Sequence, residues 1–217
     1  MRLLIIIVVL GIYATAAAQS SPSRNADGFL ADTSFARNGK QQKKLTQYSY
    51  GSIDTEVKYT DSSAKGIIIQ NSLPKGNRYI DPGGRISVYG IFWTRIINET
   101  TTPLELTINF TADSIAIPRF PGSYLKLFLP PGTMTPDKES LYNYGVTDLE
   151  SFLDTGLNKQ TTLKYVINPK EESLFYTGAL PGAGYRAGLV LKGQNLFYTI
   201  NLLPGLLIPC GQVAFKK

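Results

Sequence analysis

Histidine is absent from all 217 residues, and cysteine and tryptophan occur once each. Without imidazole there is no Ser-His-Asp or Cys-His nucleophile pair, no His-liganded zinc or iron, and no side chain that ordinarily titrates between about pH 5 and 8. What remains is carboxylate, lysine or tyrosine chemistry, oxygen-ligand metals, or no chemistry; neither a cofactor nor a metal is expected. A single cysteine excludes an intrachain disulfide, so the fold stands on its core. Cys210, between Pro209 and Gly211 in an apolar tail, reads as a buried small hydrophobe.

A long membrane-spanning run is also lacking. The apolar stretch from Leu3 to Ile12 is about ten residues, roughly half of what a spanning helix needs. With Arg2 before it and Ala16-Ala17-Ala18 after it, residues 1–18 read as a secretory signal peptide cleaved before Gln19. No cysteine follows that site, so a bacterial lipid anchor there is not expected. The mature chain is thereby expected to be periplasmic, cell-surface or extracellular, with no transmembrane segment. Its excess of positive charge, a formal +6 before Arg2 is removed, is spread along the chain and does not point to nucleic acid.

Residues 19–47 are rich in Ser, Asn, Gln, Lys and Arg, with only Leu30, Phe35 and Leu45 to bury, and read as a flexible basic arm. Arg37, Lys40, Lys43 and Lys44 offer electrostatic contact with an anionic surface. Residues 48–217 contain no domain-splitting linker or fixed-period repeat and are expected to form one domain.

Within it, strand signals dominate. Ile53 to Tyr59 alternates Ile, Thr, Val and Tyr with Asp, Glu and Lys, and Leu104 to Thr111 alternates Leu, Leu, Ile and Phe with Glu, Thr and Asn. Leu189 to Leu191 and Leu196 to Leu202 flank Lys192-Gly193-Gln194 as a hairpin. Ile67 to Ile69, Ile86 to Ile97, Leu125 to Leu129 and Leu163 to Ile167 are apolar on both faces and read as central strands. Thirteen prolines and twenty glycines punctuate short strands. One short helix is predicted after a Thr147-Asp148-Leu149-Glu150 capping box, stopping at a left-handed Gly156, and a second turn is predicted at Thr135-Pro136. The expected architecture is a two-sheet, mainly antiparallel β-sandwich, immunoglobulin-like in the broad sense, with a short helical insertion.

Catalytic patterns have simpler explanations. Asp148, Glu150 and Asp154 belong to the helix start and its face. Ser62-x-x-Lys65 and Ser123-x-x-Lys126 do not open helices, and Gly182 to Gly188 lacks both dinucleotide spacing and a following helix. The aromatic pattern is more informative. Ile86, Val88, Phe92 and Ile96 share one face; Tyr89, Ile91, Trp93, Arg95 and Ile97 share the other. That second face is either covered by another layer or exposed, with Tyr89, Trp93 and Arg95 as a platform for a sugar or a protein, bordered by Tyr142 and Tyr144. Asn98-Glu99-Thr100 and Asn109-Phe110-Thr111 are potential glycan acceptors, in a turn and on an outward face. The strand, Asn-x-Thr turn and strand over 86–111 resembles the middle of bacterial immunoglobulin-like domains, a pattern common to sandwiches that implies fold alone.

These readings converge on an exported, non-catalytic binding or structural module of a cell envelope or extracellular assembly, engaging protein or glycan through aromatic surface and loops. A carboxylate-dependent glycan-active hydrolase needs two acids facing one cleft. A subunit of a β-rich fibre or complex needs an open sheet edge or a missing strand.

Overall fold

The structure, a computed structural model, describes residues 53–60, 66–117, 120–182 and 184–216. The expected signal and arm, residues 1–47, lie outside the described residues. The first half of the domain contains β1 (Ile53–Thr60), β2 (Gly66–Ser72), β3 (Arg78–Ile80), β4 (Ile86–Val88), β5 (Gly90–Asn98), β6 (Leu104–Phe110), β7 (Ile115–Ala116) and β8 (Tyr124–Phe128). After the helical insertion with α1 (Leu149–Thr155) come β9 (Thr161–Ile167), β10 (Glu172–Leu180), β11 (Ala187–Lys192), β12 (Asn195–Ile200) and β13 (Ile208–Phe215).

These strands form a six-stranded sheet, β1-β2-β5-β10-β8-β7, and a five-stranded sheet, β11-β12-β13-β6-β9, with β3 and β4 as a separate hairpin. Every pairing is antiparallel. The chain is therefore an all-β sandwich. Its strands follow the expected periodicity where one face meets the core: Leu104, Leu106, Ile108 and Phe110 of β6 are buried and Glu105 is exposed. In the β11–β12 hairpin Lys192 pairs with Asn195, and Gly193 supplies the positive φ that the two-residue turn requires.

Two apolar cores lie on opposite sides of the six-stranded sheet. One, between the sheets, includes Ile69, Phe92, Ile96, Leu106, Ile108, Leu196 and Tyr198. The other lies beneath the insertion and includes Ile91, Trp93, Met134, Tyr144, Leu149 and Leu153. This three-layer arrangement explains why β5 is apolar on both faces.

Several local expectations change. Ile86 is exposed because residues 86–97 are split: Ile86 to Val88 leaves the main sheet to pair with β3. β9, expected to be central, is an edge strand with Val166 exposed. The helix falls where its signals place it, yet Asp148 is its N-cap in a left-handed conformation with no side-chain cap bond, and Gly156 is right-handed. The turn at Pro136 forms as a short 3-10 helix with Thr135 before it. Among the described residues no helix is long and apolar enough to cross a membrane, and Cys210 is a buried free thiol.

Candidate functional site

The exposed aromatic platform does not form. Trp93, Tyr89, Arg95 and Tyr144 are all buried, because the insertion closes over the outer face of β5. Tyr142 is the exposed member of the five, at 67%. Its hydroxyl accepts a 2.7 Å hydrogen bond from Asn77 Nδ2, so it borders the covered face.

Polar contacts fasten this cover. Arg95 donates to Glu139 Oε1 at 2.8 Å and to Gln70 Oε1 at 2.8 Å, with Glu172 3.9 Å away. Gln70 in turn donates to Glu56. Lys75 Nζ donates to the carbonyls of Glu139 and Leu141 at 2.7 and 2.8 Å and lies 4.2 Å from the centre of the Tyr144 ring. Burial pulls the Lys75 ammonium below its ordinary value, and the Glu139 charge partly restores it. Asn143 donates to the Tyr89 hydroxyl, Tyr144 donates to the Leu73 carbonyl, and Tyr176 donates to the Tyr144 carbonyl. Most of these bonds are buried or part-buried, with the Lys75 to Leu141 bond at the exposed rim, so the cluster serves packing and orientation of the insertion.

A concave surface is found on the opposite face of the same sheet. Because the five-stranded sheet stops at β11, the inner face of β1 overhangs it: Thr55 is exposed and Val57 half-buried, although both face the inter-sheet side. The resulting cleft has a volume of about 420 Å³. Val57, Val190, Leu203, Leu206 and Leu207 supply apolar walls, and Asp54 and Arg186 supply charge. The register of β1 against β2 slips between Ile53 and Thr55, and at this bulge the Asp54 carboxylate reaches Arg186 at 3.1 Å. That carboxylate is 6% exposed, whereas the Arg186 side chain is 66% exposed.

Asn71 closes the cleft floor by acting as a strand surrogate for β11. Its Oδ1 accepts from Leu189 N at 2.9 Å, and its Nδ2 donates to Leu189 O at 3.2 Å. Thr94 donates to the same Oδ1, and Thr55 accepts from the same Nδ2. Leu191 N donates to the Tyr59 hydroxyl at 3.0 Å. Burial raises the Tyr59 pKa, and the Leu191 N–H opposes that shift. Gly188 is required here because a Cβ would stand 2.7 Å from the Asn71 amide. The outward backbone groups of Leu189 and the N–H of Leu191 are thus satisfied across the sheets.

The acids divide among other tasks. Among the described residues Asp54 is the one carboxylate lining the cleft, and Asp154 accepts from the Tyr79 hydroxyl at 2.7 Å. Glu172 begins β10 and lies beside Arg95. Among the described residues no three Asp, Glu, Cys or His side chains are placed to hold a metal. Asn98, expected in a turn open to a glycan, is instead the last residue of β5, and its buried side chain donates to the carbonyls of Thr102 and Ile167 at 2.9 Å each. Asn109 is half-buried and accepts from Gln160 and Thr162.

Sequence reading missed Asp54, Asn71, Glu139 and Arg186. Asp54 and Arg186 are separated by most of the domain, and each alone resembles an ordinary solvated charge. A mid-strand arginine flanked by Trp93 and Ile97 was the available hint that a buried acid existed, without saying which one. No family model, curated protein or solved structure matches this chain.

Proposed function

We propose that the chain is an exported, non-catalytic binding module of a cell envelope or extracellular assembly, and that its ligand is an extended aliphatic segment of a partner protein held in the cleft between β1 and β11. The observation that carries this reading is the cleft itself, with apolar walls at a place where the inner face of one sheet outreaches the other. Its volume of about 420 Å³ is within the usual range for ligand clefts. Aliphatic walls suit Val, Leu or Ile side chains, whereas a sugar-binding cleft would favour aromatic faces, and among the described residues no aromatic side chain lines this one. Arg186 is mostly exposed, and its guanidinium has donors beyond the nitrogen that meets Asp54, available to a peptide carbonyl.

Asp54, the single carboxylate among the described residues of the cleft, favours binding over glycoside hydrolysis, which uses a pair. The occupied β11 edge likewise favours side-chain recognition over strand addition at that edge.

The test is binding of the full secreted chain to two arrays, one of peptides with aliphatic residues at alternate positions and one of glycans. Peptide binding that falls at least tenfold in Leu206→Asp supports the proposal. Binding to glycans alone, or peptide binding indifferent to Leu206→Asp, overturns it.

A further inference from the structure

We infer that the far edge of the five-stranded sheet is a dimer interface: β9 pairs antiparallel with β9 of a second copy across a two-fold axis at Tyr165, joining the two five-stranded sheets into one. The inference is independent of the cleft, which lies at the opposite, β11 edge and stays open in both copies.

The two edges of this sheet are finished differently. At β11, Asn71 and the Tyr59 hydroxyl satisfy the outward backbone groups of Leu189 and the N–H of Leu191. At β9 the outward groups have no such partner. Lys216 N donates to Pro103 O at 2.9 Å, so alternate residues of β6 beginning at Glu105 bond toward β13, and Leu104, Leu106 and Ile108 bond toward β9. Their partners Ile167, Tyr165 and Leu163 therefore bond to β6, which leaves the backbone groups of Thr162, Lys164 and Val166 pointing away from the sheet. Among the described residues none meets them. An unpaired edge of this kind is a template for another strand, and Thr161–Ile167 contains neither Gly nor Pro to interrupt it. Leu163 and Tyr165 are also only half-buried, although they share the inner face of the buried Leu104, Leu106 and Ile108.

Charge identifies the occupant and sets the register. Aligning the two strands about Lys164 sets that residue opposite its own copy, an unfavourable like-charge pair. Moving the axis one residue, to Tyr165, sets Lys164 opposite Val166 and keeps the outward backbone groups of both strands facing each other. Within each chain Val166 lies opposite Glu105, and both are exposed. The Lys164 ammonium of one copy therefore faces Glu105 of the other across Val166. The two backbones are two strand spacings, about 10 Å, apart, which the combined length of the two side chains spans. Neither residue has an ion-pair partner among the described residues, and the two-fold axis makes the contact twice. A foreign strand would have to be followed by an acid at that place, whereas a second copy already carries it. On the inner face the same register sets Tyr165 against its copy and Leu163 against Ile167, an aromatic and two aliphatic cross-strand pairs.

Sedimentation equilibrium of the full secreted chain over a dilution series tests the pairing. The expected result is a concentration-dependent dimer. Lys164→Glu is expected to weaken it by about tenfold or more, and adding Glu105→Lys to restore it, because the exchange re-forms the same charge pairs. Both positions are exposed, so these substitutions leave the core intact. Mild oxidation reads the register. Tyr165→Cys is expected to give a disulfide-linked dimer, since directly opposite residues in a non-hydrogen-bonded antiparallel pair lie about 4.5 Å apart at Cα. Lys164→Cys is expected to remain unlinked, its copy lying diagonally about 7–8 Å away. The native Cys210 is buried and gives no background. A chain that stays monomeric at every concentration overturns the inference. So does a dimer indifferent to Lys164→Glu, or one that links through Lys164→Cys in place of Tyr165→Cys.

Discussion

Asn71→Ala is the most informative perturbation of the scaffold, because one side chain serves both sheets. Asn71 and Leu189 are 2% and 1% exposed, so little water reaches the bonds between them. The substitution removes the amide that pairs with both Leu189 N and Leu189 O and also contacts Thr55 and Thr94. Leaving a buried backbone donor or acceptor unpaired costs about 1–3 kcal/mol each, and two such groups give an expected loss of about 3–5 kcal/mol. At about 2–4 °C per kcal/mol for a domain of this size, the melting temperature should fall by ~10 °C. Urea unfolding followed by fluorescence of Trp93, the sole tryptophan and fully buried, provides the assay. Tyr59→Phe is the calibrating comparison: it removes one acceptor for Leu191 N at a half-buried site and should cost about 1 kcal/mol. If Asn71→Ala costs no more than Tyr59→Phe, water or a relaxed backbone replaces the amide, and the reasoning that Asn71 closes the β11 edge is wrong.

Trp93→Ala should cost about 3–5 kcal/mol, read by urea unfolding with far-UV circular dichroism, since it empties a large site in the second core. Unchanged stability would contradict the covered-face assignment. Glu139→Leu should cost about 3–5 kcal/mol by leaving Arg95 buried beside a lost partner, and adding Arg95→Met should recover much of that loss. Equal destabilisation in single and double variants would show that the charge pair is not the clamp. Burial pushes the Tyr79, Tyr89 and Tyr176 hydroxyls up to about 12, with the Asp154 hydrogen bond adding to the shift at Tyr79. Their ordinary value is 10.0, so the folded state holds these protons more tightly than the unfolded state. The associated stability is present below about pH 10 and is lost as pH rises toward about 12, which urea unfolding and tyrosinate absorbance at stepped alkaline pH will measure. A stability that is flat across this window would contradict the burial of these hydroxyls.

Legibility followed the range of the interactions. The period-two pattern of β6, the Gly193 hairpin and the helix position could be read directly because neighbours within a few residues govern them. The capping geometry of α1 could not, since Asp148 adopts its left-handed conformation where the insertion is packed against the sheet. The apolar pattern of β9 likewise says nothing about whether a further strand lies beside it. Trp93 and Arg95 were correctly placed on one face, but only the path of the insertion decides whether that face is wet.

The missing histidine and lone cysteine by themselves confined the available chemistry, and the alternation of apolar residues by itself specified many short strands with both one-sided and two-sided burial. Those properties are composition and local period, which no folding event alters. Tertiary structure alone decided that Glu139 reaches Arg95, that Asn71 reaches Leu189, and that β1 outreaches β11 to open a cleft. Each depends on the meeting of segments distant along the chain, where strand order and the Asp54 bulge determine which side chains face one another.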